Sequence, residues 1–255
     1  MNELTPGINL EIAQGIATVT LNIPAKHNAL NGDHIQQFCA HLTRIANDKT
    51  IRVLIVTGAG EKTFCAGASL DQLGSGAIDG NQFAAMTDQL AALPIPTIAA
   101  LNGSAYGGGS EIGLACDFRI GVQGMRVFVP PARIGLCYPV NGIERFVQTL
   151  GLTTAKRLLV ASEEFSAEQL LQVGYLTQLV ARESLFDVAL ELAQRMATYA
   201  PLALTAMKTI CHQVAAGTLD RGAAHQIASA CNDSEDLQEG LSAQKEKRQP
   251  IFKGK

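Results

Sequence analysis

Thr97-Ile98-Ala99-Ala100-Leu101-Asn102-Gly103-Ser104-Ala105-Tyr106-Gly107-Gly108-Gly109-Ser110-Glu111 contains a strand, a turn and a helix start in immediate succession. Thr97–Leu101 is a continuous apolar run, the mark of a strand covered on both faces. The glycines after it read as a turn, and Ser110-Glu111 as the first turn of a short helix. A second strand of the same kind, Val53 to Val56, also leads to a glycine-containing turn, Phe64-Cys65-Ala66-Gly67-Ala68-Ser69-Leu70. Phe118 to Val122 reads as a third strand. Strand, turn and helix repeated in this way indicate an α/β organisation.

Upstream, Ile8-Asn9-Leu10-Glu11-Ile12 alternates strictly, and Ile16 to Leu21 resumes after Gln14-Gly15, which predicts a β-hairpin. Asp33 is placed to N-cap a helix whose apolar face holds Ile35, Phe38, Leu42 and Ile45. Phe83, Met86, Leu90 and Leu93 mark another amphipathic helix, closed by Pro94 and Pro96. From Glu183 onward the pattern is almost wholly helical, with Leu185, Val188, Leu192 and Met196 in one stripe and Pro201 interrupting. A boundary near Thr198 divides an α/β core, 1–198, from a helical carboxy-terminal part, 199–255. No internal repeat or low-complexity segment is present.

The chain of 255 residues can bury a substantial core. With 47% hydrophobic and 17% charged residues it reads as globular. A net charge of -3 and an isoelectric point near 6.0 give no reason to expect a nucleic acid or an anionic membrane as partner. Met1 to Gly7 lacks a signal-peptide pattern, and no apolar run approaches the ~20 residues needed to span a bilayer. Six scattered cysteines without a C-x-x-C pattern suggest reduced thiols, a cytoplasmic setting and no metal site.

The glycine turns are where chemistry is to be sought. Neither fits a nucleotide-binding motif: Gly58-x-Gly60 lacks its third glycine, and no turn ends in Gly-Lys-Ser/Thr. Glycines let backbone N–H groups approach a ligand closely, at a helix end that favours negative charge. Two such groups converging from two turns would form an oxyanion hole. Either turn by itself is more often a plain connection than a functional element.

As a pair, the turns resemble those of the crotonase superfamily, the enoyl-CoA hydratase/isomerase family, with its F-x-A-G-A-[DS]-[LI] and N-G-x-[AC]-x-G-G-G-x-[E] segments. Pro24-Ala25-Lys26-His27-Asn28-Ala29-Leu30 is similar to the family's CoA-binding segment. Ser234 to Gly240 and Glu246 to Phe252 are similar to its closing helix and tail, so the resemblance runs essentially the length of the chain. It implies a spiral of ββα units with a helical trimerisation region, assembled as a homotrimer or dimer of trimers. It implies an acyl-CoA substrate, no separate cofactor, and an enolate held by the N–H groups of Ala68 and Gly108. It also implies coenzyme A contacts from Lys26, Ala29 and Leu30, from Ala66, Ser69 and Leu70, and from Phe252 and Lys253. Solvated charges near a chain end account for Lys26, Phe252 and Lys253 about as well.

Glu111 stands where the family often places an acid/base; otherwise it is a first-turn glutamate favoured by the helix dipole. Two-glutamate hydratases carry Pro-Glu where this chain has Pro131-Ala132, so a second proton-transfer carboxylate is missing. Asn141 and Glu144 have the spacing of a capping box, which gives Glu144 a structural reading. Tyr138 lies where the methylmalonyl-CoA decarboxylase branch has G-x-x-Y, or is an aromatic packed in a loop. Asp117 and Arg119 read as residues ending and following a helix. Cys65 and Cys137 flank the region but read as inert thiols. Hydration, isomerisation and decarboxylation of a malonyl-type ester thus remain open, as does a non-catalytic interaction or RNA-binding role.

Overall fold

The hairpin turn at Gln14-Gly15 has both central residues left-handed, with φ of 52° and 75°, the geometry that matches the twist of its flanking strands. β1 (Gly7–Ala13) and β2 (Ile16–Asn22) therefore pair antiparallel, with Ile8 opposite Leu21. The structure, a computed structural model, describes residues 5–255.

α1 (Gly32–Asn47) buries Ile35, Phe38, Leu42 and Ile45 as the periodicity predicts, but Asn31 caps it rather than Asp33. Leu30 is held extended in a bridge to Ala68, so the chain enters the helix at Asn31, whose Oδ1 accepts from His34 N at 2.8 Å. Asp33 lies inside the first turn, where it still complements the helix dipole.

Three stretches then repeat one plan. β3 (Val53–Gly58) and β4 (Thr63–Cys65) precede α2 (Leu70–Gly74) and α3 (Gly80–Ala91). β5 (Thr97–Leu101) and β6 (Ser104–Tyr106) precede α4 (Gly108–Ala115). β7 (Phe118–Val122) and β8 (Arg126–Phe128) precede α5 (Val140–Leu159). β9 (Phe165–Ser166), α6 (Ala167–Gln172) and β10 (Gln178–Val180) follow. The first strand of each stretch joins one sheet of order β1-β2-β3-β5-β7-β10, and the second joins another of order β4-β6-β8-β9. β3, β5 and β7 are parallel neighbours, and so are β4, β6 and β8. This is the spiral of ββα units that the resemblance implies.

α7 (Leu185–Ala197) packs on β3, β5 and β7 through Leu185, Ala189, Ala193 and Met196, whereas Val188 and Leu192 are only half-buried. The alanines let the helix approach the sheet closely, so the seam lies beside the larger stripe read from the sequence. Likewise α3 buries Phe83, Met86 and Leu90, and Leu93 is buried in the turn beyond its end. α8 (Pro201–Ala215), α9 (Arg221–Asn232) and α10 (Glu235–Glu246) complete the chain, with Pro201 in the first turn of α8. Among the described residues no helix is long and apolar enough to cross a membrane.

Two buried asparagines fix the loops around the site. Asn28 Nδ2 donates to the carbonyls of Ala59, Thr63 and Phe64 within 3.1 Å, and its Oδ1 accepts from Ile23 N. Asn102 Oδ1 accepts from Gly58 N at 3.0 Å while its Nδ2 donates to Gly60 O at 2.7 Å. Buried loop backbone needs such partners, because an unpaired carbonyl would keep its full desolvation cost.

Candidate active site

The turn from β4 to α2 passes through Gly67 at φ 83°. On either side of Ala68, Leu30 N donates to Gly67 O and Ser69 N donates to Leu30 O, both at 2.8 Å, so Ala68 N–H is turned away from this bridge. The turn into α4 passes through Gly107 at φ 49°, whose N–H donates to Phe128 O at 2.9 Å. Gly108 opens the helix, and its N–H, like that of Ala68, has no acceptor among the described residues. A Cβ on Gly67 would fall 2.7 Å from Gly108 N, which places the two turns edge to edge. Both Ala68 and Gly108 lie in the wall of a cavity of about 850 Å³. Two unpaired N–H groups, one at the positive end of α4, make that wall suited to a developing oxyanion.

Glu111 lines the same cavity from the first turn of α4 and is 1% exposed. Its Oε1 accepts from Thr87 Oγ1 at 2.8 Å and from Arg145 Nη1 at 2.7 Å, and its Oε2 accepts from Tyr138 OH at 2.7 Å. Burial pushes its pKa above the ordinary carboxylate value, opposed by hydrogen bonds from Tyr138 and Thr87 and by the charge of Arg145. Burial and the neighbouring Glu111 charge hold the Tyr138 hydroxyl protonated well above its usual range. The Tyr138 ring meets Phe146 edge-on at 5.9 Å. Gly142 makes room for this contact, since a Cβ there would strike the Tyr138 ring and approach Glu111 Oε2 to 2.9 Å.

Arg145 escaped the sequence reading, which looked one residue away at Glu144. α5 begins at Val140 after Pro139, and Asn141 makes no cap; its Nδ2 donates to Asp88 Oδ2 at 2.5 Å instead. The proline fixes the helix entrance two residues before the expected cap. That leaves Glu144 exposed and puts Arg145 one turn beyond Gly142, on the face toward Glu111. A lone arginine between the buried Gly142 and Phe146 was the available signal.

Of the other residues singled out, Ala66 and Leu70 line the cavity. Leu30 is fully buried in the bridge, Ser69 precedes α2, and Lys26 is exposed; these and Ala29 lie outside the cavity wall. Lys253 N donates to Asp236 Oδ1 at 2.7 Å and Phe252 packs beside Gly240, so the tail is tied to α10 rather than to this cavity. His27, Lys62, Arg126 and Arg182, not singled out in the sequence, do line it. Ala132 occupies an exposed 3₁₀ turn whose neighbours Pro131 and Ile134 form the wall. Asp117 binds Thr97 N at 2.8 Å and Lys208 Nζ at 2.7 Å, and Arg119 donates to the carbonyls of Tyr175 and Cys116, both structural roles. Burial pushes the Cys65 thiol up to about 12, and it donates to Asn28 O, so it is inert.

The family model for enoyl-CoA hydratase/isomerase matches residues 11–255. The chain is 31% identical to a short-chain-enoyl-CoA hydratase of Clostridium acetobutylicum, covering 94% of each. It is 32% identical to a 2,3-dehydroadipyl-CoA hydratase of Escherichia coli, covering 95% of this chain and 96% of that one. The crystal structure of an enoyl-CoA hydratase from Bacillus anthracis superposes with a TM-score of 0.89 at 30% identity, covering 98% of this chain and all of that one. The family match over nearly the whole chain, joined to the observed spiral and its paired glycine turns, places this protein in the enoyl-CoA hydratase/isomerase family of the crotonase superfamily.

Proposed function

We infer that the protein forms a thioester enolate from an acyl-CoA and moves protons through one carboxylate, Glu111. The observation that carries this reading is a single buried carboxylate in the cavity wall that also holds the unpaired N–H groups of Ala68 and Gly108. The thioester oxygen accepts from those two groups, each worth roughly 3 kcal/mol of barrier in comparable sites. Its polarisation acidifies the α-carbon, Glu111 takes the proton, and the enolate is reprotonated at the same or a conjugated carbon. Lys62, Arg126 and Arg182 supply positive charge for the phosphates of coenzyme A. The backbone donors perform the polarisation, so the reading calls for no metal or redox cofactor. Intact N–H donors beside a buried glutamate favour a working enzyme over a purely interacting or RNA-binding relative.

Syn hydration by two carboxylates lacks its partner here, because Ala132 carries no carboxylate and Glu144 is exposed and outside the cavity lining. A second reading, decarboxylation of a malonyl-type thioester, is favoured by Tyr138, whose hydroxyl lies at the cavity beside Glu111. Loss of carbon dioxide leaves the same enolate in the same oxyanion hole. A product screen over crotonyl-CoA, a 3-enoyl-CoA and methylmalonyl-CoA separates the reactions. We expect slow crotonyl-CoA hydration compared with two-glutamate hydratases, with faster isomerisation or decarboxylation. Rapid hydration by the unmodified protein would refute the one-carboxylate reading, and decarboxylation that dominates and falls on Tyr138→Phe would select the second.

The exposed Leu202, Met207, Val214 and Leu241 on α8 and α10 suit burial against further copies of the chain. We assign these helices, 199–255, to assembly as a trimer or dimer of trimers. Sedimentation at micromolar concentration is expected to show such an assembly, and a monomer alone would dispose of it. A cytoplasmic setting suits six unpaired cysteines.

A further inference from the structure

A carboxylate buried to 1% exposure is disfavoured in its charged form, and a neutral glutamate cannot act as a base. Something in the structure must therefore keep Glu111 ionised and pointed. The groups packed against it are Thr87 and Asp88 from α3, Tyr138 from the segment before α5, and Arg145 from α5. Of these only Arg145 is cationic.

We propose that Arg145 is the positioning residue that holds Glu111 as an aimed carboxylate, and that Asp88 limits its grip. The proposal rests on the reading of Glu111 as the proton-transfer group. Arg145 is 13% exposed and divides its fork between two acids, Nη1 to Glu111 Oε1 and Nη2 to Asp88 Oδ1, both at 2.7 Å. Lysine, a single point of charge, has no such fork. Thr87, whose hydroxyl also lies 2.9 Å from Ala84 O, shares Oε1 with Arg145, and neither residue lines the cavity, so that oxygen is engaged away from it. Among the described residues Oε2 accepts only from Tyr138, and a carboxylate oxygen has two acceptor sites. The remaining one is left for a substrate proton in the cavity that Glu111 lines. Asp88 is 40% exposed and bound by Asn141 as well, so it draws part of the guanidinium charge toward solvent. The arrangement gives Glu111 enough cation to stay charged, and less than a one-to-one ion pair would supply.

Two substitutions then act in opposite directions. Removing the cation with Arg145→Met destabilises the Glu111 carboxylate, which raises the pH at which it loses its proton. Removing the competing charge with Asp88→Asn strengthens the hold of Arg145 on Glu111 and lowers that pH. The test is carbon NMR titration of protein labelled at the glutamate side-chain carboxyl carbon, with the Glu111 signal identified by its loss in Glu111→Gln. We expect an upward move of about one to three pH units in Arg145→Met, the usual reach of an arginine on a neighbouring carboxylate. A smaller upward move is expected in Arg145→Lys, and a downward move in Asp88→Asn. A Glu111 titration that stays within a few tenths of a unit in Asp88→Asn, or moves upward there, overturns the proposal. So does an unmoved titration in folded Arg145→Met. Should that variant fail to fold, the direction in Asp88→Asn decides alone. Measured beside this, α-proton exchange of butyryl-CoA in deuterium oxide is expected to lose rate on the acid side at the pH the NMR reports. If the NMR shifts appear but exchange is indifferent to Glu111→Gln, Arg145 keeps its role and the catalytic reading of Glu111 fails.

Discussion

Gly108→Pro is expected to turn over substrate ~10²–10³-fold more slowly than Gly108→Ala, the usual cost of one oxyanion-hole donor. The comparison between the two variants is the informative quantity. A Cβ at position 108 would lie 2.5 Å from Phe83 Cε1, so both variants must displace the end of that ring. Only the proline also deletes the N–H. Position 108 is the first residue of α4, where proline is well tolerated because that N–H has no helical partner. Both variants are therefore expected to keep a near-native circular dichroism spectrum. A folded Gly108→Pro enzyme with the turnover of Gly108→Ala would remove the Gly108 N–H from the mechanism.

Glu111→Gln is expected to reduce kcat by ~10²–10⁴-fold with KM little altered, since the change removes basicity and leaves the shape of the side chain. The pH dependence carries the same information. Glu111 must be ionised to accept a proton, and burial raises its pKa, so activity is expected above that raised value and lost as pH falls through it. The acid limb of the wild-type profile should thus lie above the ordinary carboxylate range, and the glutamine variant should lack it. An unaltered rate in the variant would leave Glu111 as a residue of the helix start, tied to Thr87, Tyr138 and Arg145 for packing alone.

A glutamate substituted at position 132 would start from the 3₁₀ turn Pro131–Ile134, whose Pro131 and Ile134 line the cavity. Ala132→Glu is therefore expected to raise crotonyl-CoA hydration, and an unchanged rate would show that the added carboxylate does not serve the reaction. The lack of the second carboxylate was legible in the sequence, but the place of its turn in the cavity wall was not.

The amino-acid sequence alone determined those features whose causes lie within a few residues of one another. Period-two alternation and a Gln14-Gly15 turn specify a hairpin, and apolar runs specify strands buried on both faces, because side-chain direction follows directly from backbone period. The glycines at 67 and 107 to 109 were readable for the same reason: left-handed backbone and close approach are demands of the turn itself. Glu111, four residues beyond Gly107, came with that turn. Where two cap-forming residues stood close together, as at Asn31 and Asp33, the choice passed to the bridge that holds Leu30 extended beside Ala68. Tertiary structure alone decided which groups surround Glu111. Its partners lie 24, 27 and 34 positions away along the chain, and Asp88 lies 57 from Arg145. No local period relates such residues. They meet because the ββα spiral brings α3, α4 and α5 together around one buried carboxylate, where exclusion of water makes each neighbouring charge felt strongly.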